Sequence, residues 1–277
     1  MRIVKPDIKF FVKRFTIIFL MISISFILLL TAASCGKENG RPDKKLKIPD
    51  ESFLKYGDTN ETIVELNRVN SSVWVHTSYY EHDGELVPSN GLVVVAGNGL
   101  VLIDTTRTEK QMESLGKLVN EAFNSSFEAA IISNAYPDRM GGASYLIKNK
   151  VPIYSLETVA KTAEQKGFIV PDKVIDGDCA IVDVGDIQLE IFYPGWGCTR
   201  DNTVVWFEEK KVLFAGDLVL EYGQNSLGDL HESDINKWPD SIKAVQERYP
   251  DAEVVVPGHG QWGDKGLLDY TLSILEK

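Results

Sequence analysis

Four apolar runs in this chain end in glycine-bearing turns, and each turn carries a side chain able to hold a metal or move a proton. "IISNAYPDRMGG" places Asn134, Tyr136 and Asp138 at every second position ahead of Gly141 and Gly142. "IFYPGWGCT" delivers Cys198, "VLFAGDLV" delivers Asp217, and "VVVPGHG" sets His259 between two glycines. An imidazole at the end of a buried strand suits metal ligation or general base chemistry. A carboxylate in an apolar strand, as at Asp217, needs a cation or several donors beside it. The plainer reading of each position is a turn residue satisfied by backbone amides, and it becomes harder to sustain for four together. The other histidines are weaker candidates. His76 lies in an alternating strand, His82 in the turn "EHDGE", and His231 in the polar loop "LGDLHESD".

Strands and helices must bring these turns together. "SVWVHTSYY" alternates as a strand, and "NGLVVVAGNGLVLIDTT" reads as a hairpin around Gly97-Asn98-Gly99. Met112, Leu115, Leu118, Val119 and Ala122 recur at helical spacing over residues 108–123. "FEAAIISN" is a buried strand, residues 141–149 a short helix, "VPIYSL" a strand, and residues 156–167 a helix. The second half is patterned alike. "AIVDVGDIQLEIFYPG" and "TVVWFEEKKVLFAGDLVL" each hold two strands, followed by a helix over 234–248, the strand "AEVVVPGHG" and a helix over 263–275. Two successive halves of this kind predict two packed mixed sheets with helices outside, the polar loops gathering along one edge.

The chain has 277 residues, with 44% hydrophobic and 25% charged side chains, the composition of a folded protein. A net charge of -11 and the lack of a basic block in the body of the chain argue against nucleic acid as a partner. Residues 1–35 differ from the rest. Lys5, Lys9, Lys13 and Arg14 precede an apolar run from Phe15 to Leu30, and Ala32-Ala33-Ser34 lead into Cys35. This order reads as an export signal, with an uncleaved membrane anchor as the alternative. "TAASCGK" resembles a bacterial lipoprotein box with Cys35 as the lipidated residue, although Ala32 stands where Leu is usual. Residues 36–50 read as a flexible tether and 51–277 as one domain. Export to the periplasm would place Cys179 and Cys198 where a disulfide is chemically permitted.

Residues 60–275 resemble the metallo-β-lactamase superfamily, and within it the class B zinc β-lactamases. "NAYPDRMGG" occupies the place of the His-x-His-x-Asp signature and its glycine pair, with Arg139 following the Asp. "PGWGCTRDN" looks like Pro-Gly-x-Gly-His-Thr-x-Asp-Asn, and "LFAGDLV" stands where the metal-binding Cys or Asp occurs. "VVPGHG" carries the last His, and "SLGDLHESDINKWPDS" resembles the lactamase segment that has Asn at the position of Asp229. The resemblance implies an α/β fold, a four-layer αβ/βα sandwich of two mixed sheets with helices on the outer faces.

It also implies two ligand sets. The first, three histidines in the family, is replaced here by Asn134, Tyr136 and Cys198, so that site is expected to be empty or weak. The second comprises Asp138, Asp217 and His259, with Cys198 as a possible fourth ligand, and is expected to take one zinc. A single-zinc branch of the family also has Asn at the first signature position. Compared with it, this chain has Tyr136 in place of a neighbouring His and Leu220 in place of a substrate-binding Lys. The implied activity is hydrolysis of an amide or lactam, β-lactams foremost, by a monomer acting on a small molecule and held at the membrane by its N-terminus. Asp138 would orient the water, Tyr136 donate to the oxyanion, and Asp229 shape the pocket. The competing expectation is a lactamase-fold lipoprotein that serves as a binding or scaffold module.

Overall fold

The computed structural model describes residues 45–277; the segment read as an export signal, Cys35 and most of the stretch read as a tether lie outside the described residues. The first sheet has eight strands in sequential order: β1 (Phe53–Tyr56), β2 (Val64–Arg68), β3 (Val73–His82), β4 (Glu85–Ala96), β5 (Gly99–Ile103), β6 (Phe127–Ile131), β7 (Ile153–Leu156) and β8 (Lys173–Ile175). β1 to β5 pair antiparallel and β5 to β8 parallel. The second sheet runs β13 (Val254–Pro257), β12 (Val212–Gly216), β11 (Val204–Phe207), β10 (Ile187–Phe192), β9 (Cys179–Val184). Only β12 and β13 are parallel in it. The long β3–β4 hairpin closes through Asp83-Gly84, both at positive φ, the backbone that a two-residue hairpin loop demands.

Alternation along the strands sorts the core into layers. Val73, Val75, Leu92, Val94, Val101 and Ile103 meet Leu189, Ile191, Val205, Phe214 and Val256 between the sheets. The opposite face of the first sheet, with Trp74, Val93, Leu100 and Leu102, is covered by α1 (Glu109–Phe123), α3 (Ala143–Lys148) and α4 (Glu157–Lys166). The outer face of the second, with Val204, Trp206, Leu213 and Val255, is covered by α5 (Trp238–Arg248) and α6 (Gly266–Leu275). This is the expected four-layer αβ/βα sandwich, two mixed sheets between helices.

Three features depart from what the sequence predicts. The strands β1, β2 and β8 are additional, β1 and β8 at the two edges of the sheet; β8 has three residues and too little alternation to register. The helix expected at 141–149 is present as α3, and a further single turn, α2 (Pro137–Met140), precedes it, separated because the Gly142 N–H leaves the helical pattern to bond the Thr106 carbonyl at 2.9 Å. α5 starts at Trp238 rather than Asp234, since the Asp234 carboxylate draws the N–H groups of Asn236 and Lys237 into a turn, both at 3.2 Å.

Candidate active site

Parallel neighbours point the same way, so the loops after β5 and β6 leave one edge together, as do those after β12 and β13. Backbone bonds then tie the two sheets at that edge. The Asn90 N–H donates to Gly258 O at 2.8 Å and the Thr203 N–H to Ser133 O at 2.9 Å. The Asn90 side chain adds bonds to the carbonyls of Pro257 (3.1 Å) and Gly260 (2.7 Å). Within the first sheet, Asp104 at the end of β5 holds the end of β6: it accepts from the Ser133 N–H at 2.7 Å and the Ser133 hydroxyl at 2.6 Å. Gly141 is required where it stands, because a Cβ there would strike the backbone oxygens of Arg107 and Pro137.

This edge assembles Asp138, Asp217 and His259. His259 Nε2 lies 3.5 Å from Asp138 Oδ2 and 3.4 Å from Asp217 Oδ1. Its Nδ1 donates to the Pro88 carbonyl at 2.7 Å, which orients Nε2 towards the carboxylates. Amid the three sits Arg139, fully buried. Its Nη2 bonds Asp217 Oδ1, lies 3.3 Å from Asp138 Oδ2 and 3.0 Å from His259 Nε2, and donates to Gly258 O at 3.0 Å. Nε donates to Asp217 Oδ2 at 3.2 Å, and Nη1 to Asn90 O at 2.7 Å and Ser89 Oγ at 3.1 Å. Asp104 Oδ2 is 4.0 Å from Nε. Burial alone would raise the pKa of Asp217, but the Arg139 guanidinium and His259 more than offset this and hold it well below the ordinary carboxylate range. Burial pulls the pKa of His259 down, yet hydrogen bonding to Asp217 leaves it raised. Asp104, with the guanidinium further away, is pushed up to about 7 by burial.

The first set is also assembled, but in other roles. Asn134 is buried, and its Nδ2 donates to Asp217 Oδ2 at 2.8 Å. A carboxylate only accepts, so the amide nitrogen must face it, and Asn134 Oδ1 is left buried without a partner. Tyr136 is half-buried under the Lys166 ammonium, 4.1 Å from its ring centroid. Burial, and then the charge of Glu232, raise its pKa and keep the hydroxyl protonated. Cys198 packs against the core beneath α5 and α6. Burial, reinforced by Asp217, raises its pKa and disfavours the thiolate that metal binding needs. It is free, as is the exposed Cys179, which pairs with Glu190 and Arg248. Asp229 stays in an exposed loop, accepting from the His231 N–H at 3.0 Å. His76 is buried with Nε2 3.0 Å from the Asp104 carbonyl, and burial lowers its pKa to about 4.

Asn134, Tyr136 and Cys198 offer one neutral amide, one protonated phenol and one protonated thiol, a set that does not fit zinc. Asp138, Asp217 and His259 fit it in donor chemistry. Their separations of 3.4 and 3.5 Å match the roughly 3.3–3.6 Å between donors on one tetrahedral zinc at about 2.0–2.2 Å. Among the described residues no group of three His, Cys, Asp or Glu side chains is placed to hold a metal ion as it stands; Arg139 Nη2 lies against all three donors of this set instead.

Arg139 and Asp104 lie at the centre of this cluster, and sequence reasoning underused both. Arg139 stands out in the sequence only as the residue after Asp138, and its reach to residues 90, 217, 258 and 259 is invisible in one dimension. Asp104 has a usable signal, a carboxylate closing the apolar run "GLVLID", which is the same pattern that singles out Asp217.

Comparison with known proteins agrees with this fold. A profile of the metallo-β-lactamase superfamily matches residues 84–259. The type 2 metallo-β-lactamase of Bacillus cereus is 38% identical over 221 residues, covering 78% of this chain and 85% of the relative. That of Bacteroides fragilis is 27% identical over 261 residues, 94% and 96% of the two chains. Among solved structures, a metallo-β-lactamase from Pontibacter korlensis superposes with a TM-score of 0.75 at 36% identity, covering 77% of this chain and 99% of that one. The mono-zinc form of FIM-1 from Pseudomonas aeruginosa superposes with a TM-score of 0.72 at 29% identity, covering 77% and 95%. With more than half its length matched by the family profile and most of it aligned to a relative at 38% identity, the chain belongs to the metallo-β-lactamase superfamily.

Proposed function

We propose that the protein is a metal-dependent hydrolase of β-lactamase type that works with one zinc, held by Asp138, Asp217 and His259. The convergence of these three donors from three separate loops carries the reading. When bound, zinc polarises a carbonyl and lowers the pKa of a water towards ~7 in the best cases. Asp138, whose Oδ2 takes a bond from Ser89 Oγ at 3.3 Å, is the carboxylate placed to accept a proton and return it to the leaving nitrogen. The protonated Tyr136 hydroxyl supplies a donor for the developing oxyanion. Arg139 fixes the Asp217 carboxylate, and the Pro88 carbonyl fixes the His259 ring. Asp229 acts at the mouth as part of the exposed loop. Relatives named as β-lactamases, one of them solved in a mono-zinc form, support a small lactam substrate and a single ion. Export, lipidation at Cys35 and a monomeric state complete the proposal.

A second reading, a lactamase-fold lipoprotein that binds rather than hydrolyses, is favoured by one observation: the guanidinium already lies against every donor of the remaining set. Zinc content and chromogenic β-lactam turnover, measured on one purified sample, separate the two. The hydrolase reading expects about one zinc per chain and turnover that is lost in Asp217→Ala but kept in Cys198→Ala. Absence of zinc together with an unchanged melting temperature on adding it would leave the binding module.

A further inference from the structure

Arg139 is not a rotamer passing through the site. It is fully buried, and every nitrogen of its guanidinium is engaged: Nε by Asp217, Nη1 by Asn90 O and Ser89 Oγ, Nη2 by Asp217 and Gly258 O. The glycine at 258 is what lets this cluster close, since a Cβ there would strike both Asp217 Oδ1 and Arg139 Nη2. Both oxygens of Asp217 are satisfied within the chain, Oδ1 by Nη2 and Oδ2 by Nε and by Asn134 Nδ2 at 2.8 Å. Asp138 Oδ2 and His259 Nε2 have the same Nη2 at 3.3 and 3.0 Å. A divalent ion on these donors would need the space and the acceptors that Nη2 holds, in a buried setting where like charges repel strongly.

We propose that Arg139 is the resident cation of the metal-free centre, and that a metal enters only by exchange with its Nη2. The proposal rests on the reading of Asp138, Asp217 and His259 as a metal set. Two consequences follow from the charges. Without metal, two buried carboxylates would normally be left uncompensated and costly; here one guanidinium spans them, so the fold does not depend on zinc. With metal, withdrawal of Nη2 opposes binding, so affinity is lower than the donor set alone would give. Asn134 works in the same direction, because its amide occupies the second Asp217 oxygen. An enzyme built this way would be active only where free zinc is abundant and would survive intact where it is scarce.

The test compares zinc binding by calorimetry and melting temperature, in chelator and in zinc, for the full-length wild type, Arg139→Met and Arg139→Lys. The wild type is expected to be fully folded in chelator, with zinc raising its melting temperature less than it raises that of either variant. Arg139→Met is expected to melt lower in chelator, to be restored by zinc, and to bind zinc tighter by about tenfold or more, about 1.4 kcal/mol. Should Arg139→Met not fold without zinc, Arg139→Lys decides: a single ammonium cannot span both carboxylates, so zinc should again raise its melting temperature and bind tighter than in the wild type. Equal zinc affinity in wild type and variants overturns the exchange while sparing the metal set. Failure of every variant to bind zinc overturns the metal set itself, and the exchange with it.

Discussion

Replacing Asp104 by Asn changes one charge beneath the centre while sparing its backbone. Asp104 has φ 58, in the left-handed region that Asn tolerates as well as Asp. An Asn oxygen can still accept from the Ser133 N–H, and its amide can donate to the Ser133 hydroxyl, so the hydrogen-bond loss is about 1 kcal/mol. The electrostatic change is larger. Burial pushes the carboxyl up to about 7 in the folded protein, against about 3.9 in an unfolded chain. Because the folded value is the higher one, stability from this group is fully present below about pH 4 and is lost as pH rises through about 7. The penalty is about 1.5 kcal/mol at pH 5 and approaches about 4 kcal/mol by pH 8.5. Asn does not titrate. The stability difference between variant and wild type should therefore move in favour of Asp104→Asn by about 2–3 kcal/mol between pH 5 and 8.5. Urea unfolding of both proteins at the two pH values, in metal-free buffer, measures it directly. A difference that stays constant with pH would show that the guanidinium 4.0 Å away keeps Asp104 ionised, and that burial does not govern this carboxyl.

Two further outcomes are expected. Tyr136→Phe keeps the ring under Lys166 and, among the described residues, removes no hydrogen bond, so stability should change by less than about 0.5 kcal/mol; loss of an oxyanion donor should lower kcat about 10²-fold, and unchanged turnover would remove Tyr136 from the chemistry. In thiol labelling of the folded protein, exposed Cys179 should react faster than Cys198, which is less exposed and whose pKa burial raises; equal or faster labelling of Cys198 would mean that its thiolate is not suppressed.

Strand and helix identity is readable in the chain because hydrophobic periodicity is local. Val73, Trp74 and Val75 announce two buried faces, and the turn Gly97-Asn98-Gly99 announces the hairpin of β4 and β5. The candidate loops are readable too: a polar side chain closing an apolar run is costly to bury unless something compensates it, and Asp138, Asp217 and His259 do converge. The short edge strands and the break at Gly141-Gly142 are not readable, since both depend on partners elsewhere in the chain. The occupant of the centre is least readable of all. Next to Asp138 in sequence, Arg139 looks like a marker of kinship; folded, its guanidinium bonds residues 89, 90, 217 and 258, separated from it by up to 119 positions. Residue types state which charges must be compensated, but only the packing of both sheets decides which groups come within about 3 Å, hydrogen-bond distance, to do so.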